Sequence, residues 1–105
     1  MKLYIAAALT LQTISVAAQT NAICQGFDGA TPGDAQWAAL NRKADLHLGP
    51  KGLWNGRIVT CRDYGGRART VFAFCRSDSY REYTTKLERG FVACGSPGWK
   101  GCFVC

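Results

Sequence analysis

Residues 57–75 read RIVTCRDYGGRARTVFAFC, and this stretch decides the fold. Residues 57–62 and 69–75 are rich in β-branched and aromatic side chains, which favour strands. Gly65-Gly66 between them can turn the chain back on itself. The second run is apolar on both faces, as in a strand buried within a sheet. We therefore predict an antiparallel hairpin whose second strand is central.

A two-residue turn at these glycines determines which residues face each other. Tyr64 then lies opposite Arg67, and Cys61 lies opposite Thr70. Side chains that face each other share one side of the sheet, so Cys61 and Cys75 fall on different faces and should not bond to each other. The face of Cys61 would also hold Val59, Thr70, Phe72 and Phe74. We expect a helix to cover one face and disulfide-anchored loops to cover the other.

A helix is predicted from about residue 32 to residue 46 or 47. Thr31 and Asp34 have the spacing of a capping box at its start, and the Gly-Pro pair at residues 49–50 ends it. Apolar side chains recur at helical spacing at Trp37, Leu40, Ala44 and Leu48. We therefore expect Trp37 to be buried against the sheet.

Strand signals continue toward the C-terminus. Residues 90–94 are typical of a strand, and residues 102–105 would add an edge strand. Residues 80–87 are ambiguous, because residues 83–85 favour a strand while the preceding residues resemble a second capping box. One helix followed by several strands predicts an α+β domain, in which the helix packs on a small antiparallel sheet stapled by disulfides.

The N-terminus has the pattern of a cleaved signal peptide, which we predict at residues 1–18. Lys2 precedes an apolar run at residues 3–11, and small residues follow at the cleavage position. A membrane anchor needs about 20 apolar residues, and polar side chains interrupt this run too early. Cleavage after Ala18 would leave residues 19–105 as one disulfide-rich domain that is secreted and extracellular.

The cysteines all follow the predicted cleavage position, and their even count favours disulfides. Each bridge would contribute about 2–4 kcal/mol to stability, and the spacing leaves the pairing open. A zinc site would use Cys102 and Cys105 with Cys94 and His47, but the oxidising compartment favours disulfides. We therefore expect no metal and no cofactor. The disulfide-forming residues are Cys24, Cys61, Cys75, Cys94, Cys102 and Cys105.

The chain is basic, with a formal net charge of +6 that falls to +5 if Lys2 leaves with the leader. This excess suits acidic partners such as anionic lipids, acidic polysaccharides or nucleic acid. The plainer interpretation is solubility, because a modest positive excess is common on small secreted proteins.

Arginines are concentrated between residues 57 and 89, where Lys86 is the only lysine. Arginine is a planar, bidentate partner for phosphate and carboxylate, and aromatic residues interleaved with it can stack on bases or sugar rings. On strands, Arg57 and Arg69 could share one face. The alternative is a solvated sheet face beside core aromatics. The candidate partner-binding residues are Arg57, Arg67, Arg69 and Arg76.

Candidate catalytic residues are few. His47 is the only histidine, and no Gly-x-Ser-x-Gly elbow accompanies it. A ribonuclease-like set would combine His47 and Glu82 with an arginine, and a glycosidase-like pair would combine Glu82 with Asp63 or Glu88. The alternative is a surface histidine and solvated carboxylates. We predict no catalytic residue and expect a non-enzymatic protein.

The cysteine framework and the tripeptide Cys75-Arg76-Ser77 resemble a known class of proteins. The spacing C-x36-C-x13-C-x18-C-x7-C-x2-C is similar to that of small secreted cysteine-rich effectors of plant-pathogenic fungi, in particular necrosis-inducing effectors with a Cys-Arg-Ser motif. This resemblance implies secretion during infection and a non-catalytic toxin or virulence factor acting on host tissue. The partner would be a host protein or an acidic surface, either membrane or wall.

The resemblance leaves other functions open. The protein would act as a monomer, and nucleic acid is not an expected partner. One alternative is a basic antimicrobial or carbohydrate-binding secreted protein. A third possibility is a ribonuclease-like enzyme.

Overall fold

The predicted α+β class is confirmed by a computed structural model, which describes residues 19–49 and 53–105. The predicted signal peptide lies outside the described residues. The elements are strands β1 (Thr20–Phe27), β2 (Trp54–Arg62), β3 (Ala68–Arg76), β4 (Tyr83–Lys86) and β5 (Phe91–Gly95), and helix α1 (Pro32–Asn41). The strands form one antiparallel sheet in the order β2-β3-β1-β5-β4.

Strand β1 lies at the centre of this sheet, although the sequence pattern predicts no element there. It pairs with β3 on one side and with β5 on the other. Ala22, Ile23 and Cys24 are buried, but the flanking residues are polar or glycine, so neither alternation nor an apolar run marks the strand. Its burial comes from strands that lie far along the chain, which a local pattern does not contain.

The β2–β3 hairpin is present, but the predicted register is wrong by one residue. Cys61 lies opposite Arg69, and Thr60 lies opposite Thr70. Residues 63–67 close the hairpin as a longer loop, because the side chain of Asp63 accepts hydrogen bonds from backbone N–H groups within the loop. An aspartate that bonds its own loop in this way competes with a tight two-residue turn.

Because the register is shifted by one residue, side chains that were predicted to share a face lie on opposite faces of the sheet. Phe72 and Phe74 face the helix, whereas Cys61 lies on the opposite side. The helix-side core comprises Ala22, Cys24, Ala35, Ala38, Ala39, Leu46, Leu48, Phe72, Phe74, Val92 and Cys94. The opposite core comprises Ile23, Cys61, Val71, Ala73, Cys75, Cys102 and Val104. Both faces of β3 are therefore covered, as predicted. The same prediction is wrong for β2, which is exposed except at Val59 and Cys61.

Helix α1 begins as predicted and ends early. Thr31 and Asp34 form both hydrogen bonds of a capping box. The helix stops at Asn41, whose side chain donates to the Trp37 carbonyl at 2.9 Å and satisfies an acceptor of the last turn. The chain then continues in turns that bury Leu46 and Leu48 in the helix-side core. No helix in residues 19–49 or 53–105 is long and apolar enough to cross a membrane.

The prediction that Trp37 is buried is wrong. Trp37 is 49% exposed and Leu40 is 47% exposed. The helix instead faces the sheet with Ala35, Ala38 and Ala39, all fully buried. Small side chains at this spacing form an apolar stripe just as large ones do. The large residues point outward, and the Arg42 guanidinium lies 5.5 Å from the centre of the Trp37 ring.

We expect Trp37→Ala to change the free energy of unfolding by less than about 1 kcal/mol. The lost cation–π contact costs about 0.5–1 kcal/mol, and the better helix propensity of alanine offsets part of it. Ala38→Leu should cost about 1–3 kcal/mol, because it forces a larger side chain into a filled space. Urea unfolding of both variants checks this, and a larger loss for Trp37→Ala would contradict the helix orientation.

The C-terminal segment does not form the predicted edge strand. It crosses the face opposite the helix, and Asn21 of β1 holds it there. The Asn21 amide donates to the Cys102 carbonyl at 2.7 Å and accepts from the Val104 N–H at 2.7 Å. Residues 80–87, which were ambiguous in sequence, contain strand β4 at their centre.

Three disulfides join Cys24 to Cys94, Cys61 to Cys102 and Cys75 to Cys105. Cys61 and Cys75 are not bonded to each other, as predicted, but the reason given for it does not hold, because both lie on the same face. Cys61 lies opposite Arg69 of β3, and Cys75 lies opposite Trp54 of β2. The positions of Arg69 and Cys75 along β3 separate the two cysteines by about 20 Å, at about 3.3 Å per strand residue. Three disulfides in so short a chain are typical of an extracellular or secreted protein.

Candidate anion-binding site at the hairpin tip

The loop of the β2–β3 hairpin meets the C-terminal segment at one end of the sheet. Arg62 donates its backbone N–H to the Lys100 carbonyl at 2.8 Å and accepts from the Lys100 N–H at 3.1 Å. Asp63, Tyr64 and Trp99 line the same depression, whose volume is ≈ 350 Å³. We call this surface, with Arg67 and Arg69 beside it, the hairpin tip.

Asp63 organises the hairpin tip. One carboxylate oxygen accepts the backbone N–H groups of Gly65 and Arg67, each at 2.9 Å. The other accepts the Arg69 Nε at 2.9 Å and lies 3.5 Å from the Arg67 Nε. The carboxylate therefore fixes both the loop backbone and the direction of the Arg69 guanidinium.

These hydrogen bonds favour the charged form of Asp63. The backbone N–H of Arg67 and then the guanidinium of Arg69 hold the pKa of the Asp63 carboxyl below its ordinary value of 3.8. Asp63 is consequently an anion at neutral pH. It is the one carboxylate among four cations of the hairpin tip, which are Arg62, Arg67, Arg69 and Lys100.

The cations of the hairpin tip differ in how far they face solvent. The Arg67 side chain is 76% exposed and the Arg69 side chain is 32% exposed. Arg62 and Lys100 are exposed residues, and Arg62 donates from Nη1 to the Gly66 carbonyl at 3.1 Å. Arg67 and Arg69 meet at the Asp63 carboxylate, and Arg62 and Lys100 line the adjoining depression, so the four cations lie on one surface.

The other two candidate arginines lie elsewhere. Arg57 lies opposite Ala73, and Arg69 lies opposite Cys61. Because Ala73 and Cys61 belong to the same core, Arg57 and Arg69 share one face of the sheet, as predicted. Arg57 nevertheless lies about 13 Å along the strand from Cys61. Arg76 is only 6% exposed and packs 4.5 Å over the Tyr80 ring. The structure thus groups Arg67 and Arg69 and leaves Arg57 and Arg76 outside the hairpin tip.

Two aromatic residues belong to the hairpin tip. Tyr64 is 79% exposed on the loop, and Trp99 is half-buried, packing against the core on the face opposite the helix. Tyr80 is instead on the helix side, where burial raises the pKa of its hydroxyl to about 12. That hydroxyl donates to the Leu46 carbonyl at 2.5 Å, so Tyr80 has a structural role.

The candidate catalytic pair is not brought together. The His47 ring stacks on Tyr83 at 3.9 Å between centroids, on the side of the helix-side core. Glu82 lies on the other side of the sheet, in a groove with Ile23 and Ala93. Asp63 lies in the hairpin tip, and Glu88 lies in a separate depression beside Trp37. Neither the ribonuclease-like set nor the glycosidase-like pair has a shared site.

Among the residues that the structure describes, no group of three His, Cys, Asp or Glu side chains could hold a metal ion. Cys102 and Cys105, which have zinc-ligand spacing, are both in disulfides.

Among the residues of the hairpin tip, the sequence pattern pointed to Arg67 and Arg69 as binding residues, missed Arg62 and Lys100, and gave Asp63 only as a possible catalytic carboxylate. The signal for Asp63 was present, because an aspartate two residues before a glycine often accepts the N–H of that residue in an Asx turn. Lys100 gave no signal. It reaches the hairpin tip through the neighbouring Cys61–Cys102 disulfide, and the sequence left that pairing open.

The lowered pKa of Asp63 predicts an acid-sensitive loop. Its stabilising contribution is fully present above pH 3.8 and is lost as pH falls through the lower, folded-state pKa. We expect hydrogen exchange at the Gly65 and Arg67 amides to accelerate, after correction for intrinsic rates, as pH falls from about 5 to about 2. In Asp63→Asn, the same amides should already exchange fast at pH 5. Identical profiles in the two proteins would contradict this role.

No protein family matches the chain, nor does any curated protein or solved structure. The proposed function therefore depends on the geometry of the chain itself.

Proposed function

We propose that the chain is a secreted, non-enzymatic binding protein that holds an acidic partner at the hairpin tip. The observation that carries this proposal is the grouping of Arg62, Arg67, Arg69 and Lys100 around the single carboxylate of Asp63. A local excess of cations on one exposed surface attracts anions at long range and binds them at short range.

Arginine gives this surface its preference among anions. A guanidinium presents a planar fork of donors that matches carboxylate, phosphate or sulfate oxygens. Asp63 holds the Arg69 fork in one direction through its Nε, which leaves the terminal nitrogens to face a ligand. Arg67, with most of its side chain in solvent, can close on the same anion.

The effector role on host plant tissue, expected from the resemblance, agrees with such a surface and stays a prediction. An acidic membrane or wall component would be the partner in that setting. The separation of His47 from Glu82 supports binding over ribonuclease chemistry. His47→Ala and Glu82→Gln should accordingly leave cell death after leaf infiltration nearly intact, whereas reduction and alkylation should abolish it.

Charge reversal tests the proposal. Arg67→Glu with Lys100→Glu should weaken binding to heparin or inorganic polyphosphate by at least about tenfold, because each charge-assisted hydrogen bond contributes about 1.5–3 kcal/mol. Lys43→Glu with Arg89→Glu changes the net charge equally at exposed positions outside the hairpin tip, so it is the matched control. Isothermal titration calorimetry at several salt concentrations measures both, and the difference should be largest at low salt.

Equal weakening by the two double variants would refute the proposal, since binding would then follow net charge and not the hairpin tip. A different result would favour an enzyme. If His47→Ala alone eliminated activity while the melting temperature stayed unchanged, catalysis at His47 would be the better account.

A further inference from the structure

A groove adjoins the hairpin tip on the face opposite the helix. It lies over β1 and β5, and one wall is formed by Gly95, Ser96, Pro97 and Trp99. Its volume is ≈ 360 Å³, within the range of about 300–1,000 Å³ typical of small-molecule sites. Its floor is apolar and includes Ile23, which is 5% exposed.

Trp99 lines both the groove and the depression of the hairpin tip. The two cavities are therefore neighbours that share one aromatic wall. A ligand longer than one chemical unit can occupy both, with one part at the cations and the next part beside the indole ring.

The groove differs from the hairpin tip in charge. Glu82 is the only charged side chain among the described residues that line it. Gln25 and Ser96 add an amide and a hydroxyl, which both donate and accept hydrogen bonds. This set suits the hydroxyl groups of a sugar, and the Trp99 ring suits the apolar face of a sugar ring. A phosphate or carboxylate would be repelled here by Glu82.

We infer that the acidic partner is an acidic polysaccharide in which charged and uncharged sugars alternate, bound with its anionic groups at the hairpin tip and an uncharged sugar ring in the groove beside Trp99. This inference rests on the proposed function and names its ligand. A nucleic acid carries a phosphate on every unit and would bring one against Glu82. A bilayer surface would engage the cations and leave the groove empty.

Calorimetric titration with a hyaluronan oligosaccharide, in which each carboxylate-bearing sugar alternates with an uncharged sugar, tests the inference, with inorganic polyphosphate as the comparison probe. Gln25→Leu with Ser96→Ala should lower the affinity for the hyaluronan oligosaccharide about tenfold or more and leave polyphosphate affinity unchanged. Arg67→Glu with Lys100→Glu should weaken both probes. A heparin-derived oligosaccharide of the same length carries an acidic group on nearly every sugar, so its affinity should not depend on Gln25 and Ser96. A loss of heparin affinity in this double variant equal to the loss of hyaluronan affinity would contradict the inference.

Melting temperatures of all variants must match wild type within a few degrees. If Gln25→Leu with Ser96→Ala fails to fold, Glu82→Lys at the exposed rim of the groove replaces it. The ratio of its saccharide affinity to its polyphosphate affinity should then differ from the wild-type ratio. If groove variants alter neither probe, the inference fails while the proposed function stands. If wild type binds neither probe, both fail. Tighter binding of single-stranded DNA or phosphatidylserine vesicles than of any acidic saccharide also overturns the inference.

Discussion

Replacing Phe74 by alanine should lower the free energy of unfolding by about 3–5 kcal/mol. Phe74 is fully buried in the helix-side core, with its ring 5.7 Å from that of Phe72 and 6.4 Å from that of Tyr80. Truncation removes apolar surface and leaves a cavity between these rings. Small domains are stable by only about 5–15 kcal/mol, so the variant should be partly or wholly unfolded at 37 °C.

The matched control for Phe74 is Ile58→Ala. Ile58 lies on the neighbouring strand opposite Phe72, but it is 43% exposed. Its truncation should therefore cost much less than that of Phe74. Denaturant unfolding followed by tryptophan fluorescence measures both. Equal midpoints for the two variants would mean that the helix-side core is not centred on β3.

Removing the Cys24–Cys94 disulfide should cost about 2–5 kcal/mol. The bond joins directly opposite residues of β1 and β5 and closes a sequence separation of 70, against 41 and 30 for the other two. Longer closed loops restrict the unfolded chain more. Both cysteines are also buried, so the sulfurs contribute to core packing.

Cys24→Ala with Cys94→Ala should melt at a lower temperature than Cys75→Ala with Cys105→Ala. The second pair closes the shortest of the three separations, at 30 residues. Scanning calorimetry of the two double variants compares them. A larger decrease in melting temperature for Cys75→Ala with Cys105→Ala would show that stability is limited by the attachment of the C-terminal segment and not by the centre of the sheet.

The elements that depend on residues close together in the chain could be predicted from the sequence. The capping box at Thr31 and Asp34 fixes the start of α1, and the β-rich runs on either side of Gly65-Gly66 fix the two strands of the hairpin. Each of these depends on residues within a few positions of one another. The α+β class follows from the order of these elements.

Features that depend on distant residues were missed. Strand β1 is central because β3 and β5 pair with it, and its own residues carry little pattern. Trp37 was expected to be buried because it lies on a stripe of apolar residues at helical spacing, but the alanines of α1 contact the sheet. The hairpin register changed because one side chain, Asp63, closes the loop.

The candidate site likewise combines residues that the sequence indicated with residues that only the fold brings to it. Arg67 and Arg69 were visible in the sequence as members of an arginine-rich stretch. Trp99 and Lys100 join them only because the C-terminal segment folds back over the sheet, held by Asn21 and by the Cys61–Cys102 bond. Arg76 looked equivalent to the others in sequence, but its place at the buried end of β3 directs it to Tyr80.

An amide NMR titration with short-chain inorganic polyphosphate tests the central claim most directly. Because the anion should bind at the hairpin tip, we expect the largest chemical-shift changes at residues 63–69 and 98–100, including the Trp99 indole N–H. Helix α1 should show almost none. Largest changes on α1, or changes of similar size spread over the whole surface, would contradict the claim that the hairpin tip is the binding site.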